Sequence, residues 1–362
     1  MPRKPSQQSV KLRFVLIIFI VGLIAAAFLY TAGYIGSNND VTAQSFVNLQ
    51  EGNPVTPGSD RAGFRRAHAK GICVSGEFQA NGNLHAYTTT PILQSGSHPF
   101  IGRFSIAGNN PIAPDLKAPV RSLAISFNAP NWRIAMNTPP VMAVSTPEDF
   151  YAQLVSLQPD PKTGKRDSAK IQAFFAAHPE SKDFNNWRAH YTPTTSFVDE
   201  QYHSINAFYL VNGNNQRQAV RWQAVPRRSA QVSAQVKAQA QNHPDALQLD
   251  LLEKLQSGPV IFDLVFSFAS ATDDENDPAV AWPDDNKRIK AGMIIIKRSS
   301  PQLGGECDGI RYDPLILPSG IEPTQDPILN ARSAAYAESY RRRARESFFG
   351  VFERQQNQGE VK

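Results

Sequence analysis

Apolar and polar residues alternate with period two over residues 72–78, 121–127 and 260–268, the pattern of strands with one buried face, and 293–297 reads as a further strand. Two further stretches, 202–208 and 219–222, flank Asn212-Gly213, a dipeptide that tolerates positive φ and suits a hairpin turn. Helical spacing replaces alternation at 151–186, where Ile171, Phe174 and Phe175 share a face and a Pro-Lys-Thr-Gly turn separates two predicted helices. The Ala- and Gln-rich stretch 231–241 predicts an exposed amphipathic helix, and a last helix begins near Asp326 and runs into Arg341-Arg342-Arg343. Strands bounded by turns, with helices between and after them, predict an α+β chain.

The two ends depart from this pattern. Residues 1–13 carry Arg3, Lys4, Lys11 and Arg13 and no acid, and 14–35 is uncharged and mostly apolar. About 20 apolar residues span a bilayer as a helix, whereas a cleavable signal has a shorter apolar core, so 14–35 is expected to be an uncleaved signal anchor. Small residues between Ala25 and Ala32 leave cleavage open. Positive charge before the span holds the N-terminus in the cytoplasm, which predicts a single pass through the inner membrane with the remainder in the periplasm. Residues 36–60, rich in Asn, Gly, Pro, Ser and Gln, predict a flexible linker, and 61–345 the folded domain. Nothing in the tail, 346–362, suggests a function.

With 362 residues, 41% of them hydrophobic, the chain can bury a large core, which excludes disorder as the default. The net charge of +5 is gathered largely in the two terminal runs and not on a nucleic-acid module, so no nucleic-acid partner is expected. Two cysteines, Cys73 and Cys307, exclude a disulfide-dense scaffold and form no C-x-x-C spacing. Cys73 falls in a strand, where a buried free thiol is the favoured reading; a single long-range bridge stays open.

His68 precedes the first alternating run, beside Arg65 and Arg66. An imidazole in that setting can move a proton next to an anionic group, although a lone histidine is more often a satisfied core or surface residue. The pattern R-x-x-H-A-K-G over 65–71, Arg103-Phe104-Ser105, Asn137-Thr138-Pro139 followed by Pro147 and Phe150, and R-x-x-x-Y at Arg332 to Tyr336 occur in one order. Together with Ala281-Trp282-Pro283 and the paired strands, they resemble the haem catalases and, most closely, the smaller catalase-related peroxidases. The resemblance covers about residues 60–345.

That resemblance implies a closed antiparallel β-barrel with helices outside it and one b-type haem between the barrel wall and the last helix. It implies His68 as the distal base, Ser105 as the hydroxyl partner of its second ring nitrogen, and Asn137 as the amide that positions peroxide. Arg103 is implied at a haem propionate, Arg65 as a further cofactor-binding residue, Arg343 as a cation pointing toward the haem, Phe150 against the haem, and Tyr336 as the iron ligand with Arg332 beside it. The chemistry is coherent: a phenol, with a pKa of about 10, must ionise to bind iron, and a cation one helical turn away favours the phenolate. The NADPH-binding extension of full-length catalases is not expected.

The activity implied is a peroxidase using hydrogen peroxide and an organic electron donor, with a true catalase or a non-catalytic haem sensor or carrier as alternatives. Departures from the catalase pattern favour the peroxidase: Pro119 stands where a channel carboxylate is common, Ala67 and Ala107 where valines are common, and Met142-Ala143 where paired phenylalanines are common. The oligomeric state is open.

Overall fold

The computed structural model describes residues 7–31, 41–52, 61–160, 162–227 and 243–359. It divides into two compact units, 1–42 and 43–362. In the first, α1 (Gln7–Thr31) covers most of the predicted anchor, and its side chains from Val15 to Ile24 include exposed valines, leucines and isoleucines. Among the described residues no helix is long and apolar enough to cross a membrane, so the structure does not establish the anchor. The helix expected at 231–241 lies outside the described residues.

The second unit is built on ten antiparallel strands: β1 (Gly71–Ala80), β2 (Gly96–Ile106), β3 (Arg121–Asn128), β4 (Asn131–Asn137), β5 (Tyr202–His203), β6 (Phe208–Val211), β7 (Arg217–Pro226), β8 (Val260–Phe268), β9 (Arg288–Pro301) and β10 (Ile321–Pro323). Eight of them close in the order β7-β5-β4-β3-β2-β1-β9-β8, and the β7–β8 pairing completes the ring; β6 and β10 extend from β7. Closure removes most of the free edge; the weakest seam is between β4 and the two-residue β5, which meet at the single pair of Asn137 and His203. The expected barrel is therefore present, and the 212–216 turn joins β6 to β7 where the Asn-Gly signal placed it.

Alternation decides what fills the barrel. Ile72, Val74 and Phe78 of β1, Phe104 of β2, Leu123, Ile125 and Phe127 of β3, and Trp132, Ile134 and Met136 of β4 belong to one buried apolar core. Aromatic rings dominate its contacts, with Phe104 stacked on Phe197 at 5.1 Å and Phe208 on Trp222 at 4.5 Å. The intervening residues take the other face. Register sets Gly71, Ser105, Ser122 and Asn137 in one row across β1 to β4, and Cys73, Arg103, Ala124 and Ala135 in the next. These rows carry the candidate site.

The helices are α2 (Ala43–Glu51), α3 (Pro147–Ser156), α4 (Ser168–Ala177), α5 (Lys182–His190), α6 (Ala246–Ser257) and α7 (Pro327–Gly359). Two boundaries differ from expectation. Part of the predicted linker is α2, with Val47 fully buried and Glu51 bound by Arg66 and Arg342, so the unit begins before residue 61. The predicted tail continues α7, and Glu346 on it is buried and paired with Arg66. Both segments are held by ion pairs whose partners lie far away in sequence.

Candidate functional site

His68 sits three residues before β1 with φ of 53°, a left-handed conformation that a non-glycine residue adopts only under local support. Its carbonyl receives that support from Arg103 Nη2 at 2.7 Å, and Ala69 N–H donates to Gly108 at 2.9 Å. Gly71 is required here for space. A Cβ at that position would lie 2.3 Å from the Phe104 carbonyl oxygen and 2.6 Å from Arg103 Nη2.

The imidazole Nδ1 is 3.1 Å from Ser122 Oγ, and the Ser122 hydroxyl donates a short hydrogen bond to Asn137 Oδ1. A hydroxyl has one proton to give. Because Ser122 gives it to Asn137, its oxygen accepts from Nδ1–H, which leaves the lone pair on His68 Nε2 and the amide donors on Asn137 Nδ2. Burial, then the charges of Arg103 and Arg332, lower the His68 pKa from its ordinary value to about 4, so the ring is a neutral base near neutrality.

This geometry corrects one sequence expectation. The partner of Nδ1 is Ser122, not Ser105. Ser105 is buried in the same row, as the register partner of both Gly71 and Ser122, but among the described residues its hydroxyl makes no hydrogen bond to the imidazole. His203 pins the far end of the row: it pairs with Asn137 across β4 and β5, and its Nδ1 donates to the Thr138 carbonyl at 2.9 Å.

A second constellation gathers arginines. Arg65 Nη2 donates to the carbonyls of Cys307 and Ile310, each at 3.0 Å, and Arg343 Nη1 reaches the Asp308 carbonyl at 3.1 Å and its carboxylate at 3.4 Å. Arg103 is buried and is held by Gln302, whose Nε2 donates in turn to the Ala69 carbonyl. Burial, with mutual repulsion from Arg343, lowers Arg65 to about 10, and burial with Arg65 beside it pushes Arg103 well below its ordinary value. Three cations thus share one nearby carboxylate, Asp308.

Tyr336 lies on α7, and Arg332, one turn earlier, donates from Nη2 to its oxygen at 3.3 Å. Behind that pair runs a relay not foreseen in the sequence. Arg332 Nη1 donates to Asn206 Oδ1, and Asn206 Nδ2 donates to Asp326 Oδ2 at 2.6 Å. Asp326 Oδ1 accepts the N–H groups of Ile328 and Leu329 at the start of the same helix, so one carboxylate caps α7 and orients the arginine. Burial raises the Asp326 pKa.

Phe150 is not tied to these groups by any described contact. Its ring faces Phe46 of α2 at 5.4 Å, and it packs against the cluster of Val144, Phe174 and Ile328. The cysteine expectation is also corrected: Cys73 and Cys307 form a disulfide, with Tyr312 in the same buried cluster and Tyr336 and Ala124 against it.

These residues fit the haem that the sequence resemblance implies. Among the described residues Arg65 and Arg103 form no ion pair with a carboxylate, and both Arg65 Nη1 and the Tyr312 hydroxyl are buried with no hydrogen-bond partner, as expected for groups shaped to meet carboxylates. Apart from Arg103 and Asn137, the two rows carry Gly71, Cys73, Ser105, Ser122, Ala124 and Ala135, all small. Arg65, Arg103 and Arg343 would hold the haem carboxylates, and Tyr336 the iron.

Residues 56–351 match the family described as Catalase. The chain is 38% identical over 335 residues to a catalase-related peroxidase of Synechococcus elongatus, covering 91% of this chain and 96% of that protein. It is 28% identical over 292 residues to a catalase-related peroxidase of Mycolicibacterium paratuberculosis, covering 79% and 91% of the two chains. A solved structure titled "Structure of a bacterial catalase" superposes with a TM-score of 0.67 at 22% identity, over 85% of this chain and 64% of that one.

Proposed function

The chain belongs to the catalase family, and on that premise we propose that it is a haem peroxidase, an oxidoreductase that reduces hydrogen peroxide with electrons from an organic donor. The observation that carries the reading is the direction of the hydrogen bonds from His68 through Ser122 to Asn137. It leaves a neutral base and an amide donor side by side. His68 Nε2 takes a proton from peroxide and returns it to the departing oxygen, while Asn137 Nδ2 donates to peroxide and holds it in place. The chemistry that a b-type haem would supply here is the electrons for O–O cleavage, which the organic donor would then replace. Tyr336 would supply the iron ligand, with Arg332 donating to its oxygen and Asn206 and Asp326 holding the guanidinium in place.

Donor oxidation in preference to disproportionation is supported by the side chains around the site. Pro119 is exposed and uncharged, Ala67 and Ala107 are partly exposed, and Met142 and Ala143 leave more room than paired aromatic rings would. Purified holoprotein should therefore oxidise phenolic or dye donors at a rate exceeding oxygen release. Oxygen evolution at catalase-like rates with no donor oxidation would replace this reading with true catalase activity, and peroxide inertness with retained haem would favour a sensor or carrier.

The location belongs to the same proposal. A basic run before an apolar stretch supports a membrane anchor with the catalytic unit in the periplasm. The Cys73–Cys307 disulfide supports an oxidising compartment. A reporter active only outside the cytoplasm, fused after residue 60, should give signal; signal from a cytoplasmic reporter alone would sink the topology.

A further inference from the structure

Tyr312 is 4% exposed, yet its hydroxyl has no hydrogen-bond partner. A phenylalanine would fill the same apolar volume without burying an unpaired hydroxyl, so the oxygen is explained only by an acceptor that the chain itself does not supply. Its surroundings identify the acceptor's charge. The Arg65 guanidinium lies over the Tyr312 ring at 5.8 Å, Arg65 Nη1 is likewise buried without a partner, and the charges of Arg65, Arg103 and Arg133 all act on the phenol. Arg133 Nε is a third buried donor with no acceptor. Three orphaned donors around a surplus of positive charge call for an anionic oxygen group.

We propose that the Tyr312 hydroxyl donates a hydrogen bond to a haem propionate, beside Arg65 and Arg103, as a fourth side chain of the carboxylate cradle. This rests on the haem reading given above. The ring belongs to the same buried cluster as the Cys73–Cys307 disulfide, against which Tyr336 packs, while Arg65 lies over its face, so Tyr312 is near both the candidate iron ligand and an arginine of the cradle. A neutral donor there adds affinity for the carboxylate without adding another buried cation to a group already short of counter-charge.

The test is haem loss, measured as transfer from the full-length holoprotein to an excess of a high-affinity haem acceptor protein. Tyr312→Phe should lose haem about tenfold faster than the native chain, the loss of one hydrogen bond to a charged group, with its tyrosinate spectrum retained. Haem dimethyl ester, whose propionates carry no charge, should abolish most of that difference. Equal rates of haem loss from the two proteins would overturn the proposal. So would a difference that persists undiminished with the ester, because that marks a packing role. A native chain that takes up no haem at all would instead defeat the haem reading itself, and this inference with it.

Discussion

Removing the Cys73–Cys307 disulfide should destabilise the catalytic unit and loosen its hold on haem. The bridge joins β1 to the loop after β9 across a separation of 234 residues. In the chain-entropy account, closing a loop of that length restricts the unfolded chain by about 5 kcal/mol at 25 °C, near the upper end of what disulfides contribute. Residual structure in a long unfolded chain reduces the effect, so a loss of about 3–5 kcal/mol is expected, a large share of a domain's typical net stability of about 5–15 kcal/mol. The same loop supplies the Cys307 and Ile310 carbonyls to Arg65 and the Asp308 carboxylate to Arg343. Its release should therefore also speed haem loss. The assay compares guanidinium unfolding of the oxidised native chain, the native chain under a reductant, and Cys73→Ala with Cys307→Ala. The reduced chain and the double variant should share a lower midpoint. Identical midpoints in all three, or two free thiols in the denatured but unreduced native chain, would refute the reasoning.

Three further outcomes are expected. With the His68 pKa lowered to about 4, the base is neutral above that value, so reaction with peroxide should be flat through neutrality and fall as pH drops through about 4; a midpoint near 6.5 would show that the imidazole is not desolvated. Ser122→Ala should slow peroxide reduction about tenfold to a hundredfold by freeing the imidazole tautomer, whereas Ser105→Ala should leave it nearly unchanged, and rapid-mixing kinetics that reverse the two would return the role to Ser105. Tyr336→Phe should abolish the tyrosinate absorption and lose haem, and Arg332→Ala should weaken that absorption while Arg332→Lys restores part of it; an unchanged spectrum in Tyr336→Phe would remove the residue from the iron.

The barrel was legible because period-two alternation survives in the sequence wherever a strand has one buried face. Val260–Phe268 became β8 with the boundaries that its pattern predicts. Motif matching likewise found both residues of the Arg332–Tyr336 pair, whose spacing within one helix is local. What it missed depends on register and on contacts distant in sequence. Ser105 and Ser122 are register partners in one row, and it is Ser122 that His68 Nδ1 meets, a choice that the spacing of a motif does not carry. A run of asparagines, glutamines and serines read as a linker, yet α2 forms within it because Glu51 finds Arg66 and Arg342 and Val47 finds a buried site. Cys73 looked like an ordinary buried thiol because its partner lies on another loop. Asn206 and Asp326 were visible as a strand residue and a helix start, but their function lies in a chain of hydrogen bonds that ends on Tyr336. The sequence therefore offers candidates for contact with peroxide or iron more readily than it offers the groups that would orient them. Chemistry constrains residue type at the first set of positions, while the second can be filled by any donor or acceptor that the fold brings within reach.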